Sequence, residues 1–201
     1  MKKIAIAICL ILIGGVVAAS SQSTEPATRN WAQEPSSFLG IQIGKPIAKS
    51  VPECPYRTEY GYRRYDILDW SNLGHPCFEP IDDFYSVHNV DAFFDVFVHQ
   101  VAGKVECVSG FFKEQQTSAV SQALIEKYGP ALVTTVEQKQ NRMGAAFPDH
   151  VMLWKGTTVQ ISFHSVAGRI DEGSVTAYTL TYEAQIARDT EKGANSIKGT
   201  L

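Results

Sequence analysis

Period-two alternation of apolar and polar positions dominates the middle of the chain. Ala92 to Val101 and Lys104 to Phe112 are strand-like runs joined by Ala102-Gly103, a pair suited to a two-residue hairpin turn. With that turn Val101 faces Lys104. A constant register then puts Phe94, Val96, Val98 and Gln100 on one face with Phe111, Ser109, Cys107 and Val105. This is the more apolar face and is expected to meet the core, with Cys107 opposite Val98. The other face carries Phe93, Asp95, Phe97 and His99 against Phe112, Gly110, Val108 and Glu106.

The period then changes. Val120, Leu124 and Tyr128 recur at helical spacing with Ala123 beside them, which predicts a helix over 118–128. Thr117 or Ser118 is placed to cap its start, and Gly129-Pro130 ends it. A second hairpin is expected from His150–Trp154 to Thr157–His164, turning at Lys155-Gly156. Trp154, Met152 and His150 should face Val159, Ile161 and Phe163. A last strand is expected over Val175–Tyr182, and a short one over Phe38–Gly44. Residues 56–85 read as irregular strands and loops. The sum is one α+β domain over 38–183, an antiparallel sheet of hairpins with one main helix on a face. Residues 184–201 read as a polar C-terminal tail or a frayed helix.

The N-terminus places that domain outside the cytoplasm. Lys2 and Lys3 precede an apolar run, Ile4 to Val17, and small residues follow, with Val17 and Ala19 suited to a cleavage site. The run to Ala19 is shorter than the ~20 residues a spanning helix needs, so a cleavable signal peptide over 1–19 is expected rather than an anchor. Cys9 follows Ile8 inside the apolar run and is not placed for lipid attachment. Residues 20–37 read as a flexible leader. The short basic n-region is of the bacterial kind, so the expected destination is the periplasm or beyond, with no membrane anchor after cleavage.

Charge narrows the partners. The chain has a net charge of −3, and losing Lys2 and Lys3 makes it more acidic. It has no basic block of the kind that binds nucleic acid or anionic lipid. Three cysteines follow the signal region: Cys54, Cys77 and Cys107. An oxidising compartment permits one bridge among them, by any of three pairings. The expected one is Cys54–Cys77, which closes a loop of turn residues and leaves Cys107 as a buried, inert thiol.

Catalytic motifs are sparse. Asp91, Asp95 and His99 share a strand face, but ~13 Å separates neighbours at that spacing, too far to share an ion or a water. His99 and Glu106 face each other across the hairpin if the register is constant, an arrangement that suits proton transfer but is commoner as an exposed cross-strand pair. Ser109-Gly110 is no nucleophile elbow, because Cys107 stands where the first glycine belongs. The histidines show no metal-ligand spacing, and no phosphate-binding loop or dinucleotide fingerprint occurs. No cofactor or metal is implied.

The stretch 56–70 is richer. Tyr60, Tyr62, Arg63, Arg64 and Trp70 are residue types that dominate binding hot spots, and aromatic faces also stack on sugars. They are the candidate binding residues, the ordinary alternative being packing of a loop region pinned by a disulfide.

Short stretches of the chain resemble parts of two known envelope-protein families. Ile41-Gln42-Ile43-Gly44 and Leu124 to Pro130 resemble the strand–Gly and helix–Gly–x–Pro pieces of small envelope proteins with the β-lactamase-inhibitor-like fold. Trp154-Lys155-Gly156 resembles the tryptophan–Lys-Gly turn of periplasmic lysozyme inhibitors. In both, the companion motif lies at the wrong spacing here, so no site is carried over. The expected function is an exported binding or accessory domain of the cell envelope, acting through protein or glycan contact. The alternative is a periplasmic hydrolase whose His99, Glu106 and Asp95 converge only in three dimensions. A structural envelope component held by the leader is the third reading.

Overall fold

Backbone groups of an alternating run need partners beside them, and here most runs satisfy one another in one eight-stranded antiparallel sheet, with two further two-stranded hairpins among the described residues. The structure, a computed structural model, describes residues 31, 34–59, 62–64, 74–81, 84–141 and 143–200; the expected signal peptide lies outside them. The strands are β1 (Ser37–Phe38), β2 (Ile41–Gln42), β3 (Arg57–Glu59), β4 (Tyr62–Arg64), β5 (Cys77–Ile81) and β6 (Phe84–His88). After these come β7 (Asp95–Val101), β8 (Lys104–Lys113), helix α1 (Thr117–Tyr128), β9 (Val133–Gln140) and β10 (Ala146–Lys155). The chain closes with β11 (Val159–His164), β12 (Glu172–Thr179) and helix α2 (Leu180–Thr200). Strands β5 to β12 form an eight-stranded sheet in the order β5-β6-β7-β8-β12-β11-β10-β9. With α1 on one face, the class is α+β.

One face of the sheet makes the core. Val87, Val96, Val98, Val105, Val108, Phe112, Trp154, Ile161, Phe163, Val175 and Ala177 are buried there under Val120 and Leu124 of α1. The small β1–β2 hairpin adds Phe38 and Ile41, turning through Leu39 and Gly40 at φ 48° and 79°. Gly129 ends α1 with φ 79°, and its carbonyl accepts the Trp154 indole N–H at 2.8 Å. The helix terminus thereby satisfies the polar atom of a fully buried ring. The start of α1 differs from expectation: a 3-10 turn over Glu114–Gln116 leads into it, and neither Thr117 nor Ser118 caps it.

Both sheet edges are blunted, by different means. Beside β5, Glu53 bridges to Phe78, Cys54 N–H donates to the Phe78 carbonyl at 2.8 Å, and the Cys54–Cys77 disulfide ties the two segments. The opposite edge, β9, is mostly exposed and carries charge at Glu137 and Lys139. A disulfide is stable in an oxidising compartment. Among the described residues, no helix is long and apolar enough to cross a membrane.

The central hairpin corrects the constant register. Gln100 pairs with Val105, but His99 pairs with Cys107 and Val98 with Val108, so Glu106 is an extra residue on β8. One inserted residue exchanges the faces of everything beyond it. Val108, Gly110 and Phe112 therefore join Val105 in the core, and Cys107, Ser109 and Phe111 turn outward. Packing explains the exchange. A Cβ on Gly110 would lie 2.8 Å from both Leu39 and Phe93, so only glycine lets those side chains close over the strand. Phe93 packs on the core and Phe94 is 44% exposed, the reverse of the expected pair.

The second hairpin shifts by two residues, which keeps its faces: Trp154 meets Ile161 and Met152 meets Phe163. The last strand ends at Thr179, earlier than expected, because helix α2 begins at Leu180. The Thr179 hydroxyl caps that helix, accepting from Tyr182 N–H at 3.1 Å and donating to the Glu106 carboxylate. Residues 180–200 are thus helical, the second of the two readings of the polar C-terminal stretch.

Candidate functional site: the outer face of the sheet

The bulge at Glu106 also builds the outer face. With Cys107, Ser109 and Phe111 turned outward, they share it with Phe97 and His99 of β7, Phe84 of β6, and Thr176 and Tyr178 of β12. Phe111 lies 5.9 Å from Phe97, Phe97 lies 5.3 Å from Phe84, and both contacts are edge-on. Phe84 lies 5.8 Å from the His99 ring, which lies 6.1 Å from Tyr182 of α2. Five rings therefore contact one another in a bent row that runs from β8 over β7 to β6 and returns through His99 of β7 to α2, none of them fully buried.

Where α2 leaves the sheet, this row borders a cavity of about 430 Å³. Its floor is His99, Cys107, Ser109, Thr176 and Tyr178, and its wall is Tyr182, Glu183 and Ile186. Hydroxyls line the floor: Ser109 Oγ lies 3.2 Å from Thr176 Oγ1, and the Gln160 amide donates to the Tyr178 hydroxyl. Burial pushes the Cys107 thiol above its ordinary value, which a hydrogen bond with Ser109 only partly opposes. Burial and the nearby Glu183 charge push Tyr178 up to about 12, and burial raises Tyr182. At neutral pH the thiol and both phenols are therefore protonated, and a protonated thiol is a poor nucleophile. The arrangement offers ring faces and hydroxyls, the means of binding.

The acid–base set of the alternative reading is not gathered at this cavity. The bulge moves Cys107 opposite His99, and Glu106 reaches the α2 cap instead. Asp95 is exposed beside Phe111, and the cavity takes in His99 alone of the three. Among the described residues, no three of His, Cys, Asp and Glu gather where they could hold a metal ion.

The candidate binding residues fall differently. Tyr60 and Trp70 lie outside the described residues, while the backbone of Tyr62, Arg63 and Arg64 forms β4, which pairs with Glu59, Thr58 and Arg57 of β3. Cys54 and Cys77 form the expected disulfide, and Cys107 is free and buried. Two clusters escaped sequence reading. Asp149, fully buried, holds Lys139 Nζ and His164 Nδ1, each at 2.8 Å. Glu34 binds the turn between β10 and β11. The outward phenylalanines do alternate along their strands, but only the bulge decides which of them share a face.

Compared with protein-family models, with curated proteins and with solved structures, the chain finds no match.

Proposed function

We propose that this chain is an exported binding domain of the cell envelope, and that the outer sheet face beside α2 is its contact surface. The observation that carries the reading is the aromatic row Phe111–Phe97–Phe84–His99–Tyr182, next to a hydroxyl-floored cavity. A pyranose ring presents an apolar face and a rim of hydroxyls. Aromatic faces accept the first, and Ser109, Thr176 and Tyr178 are suited to the second. Glycan contact is therefore the chemistry this face fits best, with protein contact the other outcome of the test. Tyr60, Tyr62, Arg63, Arg64 and Trp70 are proposed as a second contact on the same partner. Export to the periplasm is part of the proposal and rests on the N-terminal sequence and the disulfide.

The test is co-sedimentation of the purified protein with isolated cell-wall glycan, alongside crosslinking in intact cells. Phe84→Ala with Tyr182→Ala should abolish glycan binding while the circular dichroism spectrum is kept, and the Tyr60, Tyr62 and Trp70 triple alanine variant should weaken it. A crosslinked protein lost in the same variants would replace the glycan reading by the protein one. Undiminished binding in both variants would remove both surfaces from the proposal.

A further inference from the structure

The turn between β10 and β11 is built as a receptor for a carboxylate. Glu34 Oε1 accepts from the backbone N–H and the hydroxyl of Thr157. Its Oε2 accepts from Thr158 N–H at 2.9 Å, from Val159 N–H at 3.0 Å and from the Thr158 hydroxyl. Each oxygen thus has its own donors, the fork a planar carboxylate needs, and consecutive backbone N–H groups converge as in an anion nest. The turn leaves room for this ligand. A Cβ on Gly156 would lie 2.6 Å from the Glu34 carboxyl carbon and 2.7 Å from Oε1, so a side chain there would fill the cradle. Each donor named here is a neutral amide or hydroxyl, which suits a singly charged group.

The occupant comes from outside the sheet. Glu34 lies on a segment without regular structure, 123 residues before Thr157, in the stretch that reads as a leader. Trp31, on the same segment, stacks on Tyr128 with ring centroids 6.1 Å apart. Thr157 and Thr158 are exposed, so the nest opens to solvent and a second carboxylate has access whenever Glu34 leaves.

We infer that the Gly156–Val159 turn is a carboxylate-binding site, that Glu34 is its intramolecular occupant, and that an acidic group of a partner enters by displacing Glu34. The ligand class is a side-chain or C-terminal carboxylate. Displacement removes the polar tether of the N-terminal segment and leaves the Trp31–Tyr128 stack, so occupancy by a partner is coupled to loosening of that segment at Glu34. The site is distinct from the aromatic face, and the inference does not depend on it.

The experiment is an amide NMR titration of the full chain with sodium acetate against sodium chloride at matched ionic strength. In Glu34→Ala, the amides of Thr157, Thr158 and Val159 should move saturably with acetate and not with chloride. A tethered occupant competes through its effective concentration, so the wild type should need roughly tenfold more acetate for the same movement. Glu34→Gln, which keeps one acceptor oxygen, should fall between the two and serves as the main variant if the alanine form does not fold. Gly156→Ala added to either variant should abolish the response. Absence of saturable movement in both vacated variants would overturn the site. Saturation of the variants with no movement in the wild type at any accessible concentration would make Glu34 a permanent anchor and overturn displacement.

Discussion

Asp149 offers the sharpest test of how this fold is held. Its carboxylate is fully buried on β10. Oδ2 takes Lys139 Nζ and His164 Nδ1, each at 2.8 Å, while Oδ1 takes Val166 N–H at 2.9 Å and the Ser165 hydroxyl at 3.3 Å. Asp149→Asn keeps the shape and removes the charge. Whichever way the amide turns, its NH2 meets a donor, so one side of the site loses its bonds and gains a clash. Removing one partner of a buried ion pair costs about 3–5 kcal/mol. Lys139 and His164 are 36% and 32% exposed, so water recovers part of their hydration. We therefore expect about 2–3 kcal/mol, with part of the buried-pair cost offset by that rehydration. For a chain of this size that is a fall in Tm of roughly 4–12 °C. Urea unfolding followed by tryptophan fluorescence measures it directly.

The pH dependence adds a second constraint. Burial pushes the Asp149 carboxyl up, but hydrogen bonds from Lys139, His164 and Val166 outweigh it and hold the group below 3.8. A depressed folded pKa contributes stability that is fully present above 3.8 and is lost as pH falls from there through the folded value. The asparagine variant lacks this group, so its deficit against wild type should be constant near neutrality and shrink below about pH 4. A variant within about 0.5 kcal/mol of wild type at pH 7 would refute the reasoning, because that is the scatter of neutral surface changes. A deficit unchanged from neutral to strongly acid pH would refute the electrostatic part alone.

Gly173→Ala should destabilise by about 2–3 kcal/mol in the same urea assay, the cost of overpacking. The new Cβ would sit 2.3 Å from the ring of Phe112, which is fully buried, and 2.9 Å from the His164 carbonyl oxygen. Replacing Cys54 and Cys77 together by Ser should cost about 3 kcal/mol by the loop-entropy relation, given a sequence separation of 23. Reduction of the wild type should reproduce that loss, with Cys107 alkylated only on unfolding. Burial raises the Glu34 carboxyl, but hydrogen bonds from Thr157 and Thr158 bring it down to about 2 from 4.5. Its contribution is therefore present above pH 4.5 and lost as pH falls toward 2. Glu34→Gln should flatten the stability profile in that window, as thermal melts at stepped pH will show.

Local pattern alone determined much of this protein. The period change at Ser118 marked α1, Gly129-Pro130 its end, and Ala102-Gly103 the hairpin turn, because each is a matter of dihedral preference and spacing within a few residues. The pairing of Cys54 with Cys77 was legible because it closes a short loop and because Cys107 was expected to be buried, though Cys107 is buried on the outer face beside α2 and not in the core. The faces of the central hairpin were not legible beyond Gln100. Whether β8 carries an extra residue depends on Leu39 and Phe93 closing over Gly110 and on Glu106 reaching Thr179, and these partners are distant in the chain. The same holds for Asp149 with Lys139 and His164, and for Glu34 in its turn. A charged group in a polar stretch looks solvated until a strand register or a returning segment brings donors to it. Sequence spacing sets which elements form, and long-range packing alone decides which residues meet on the outer face of the sheet.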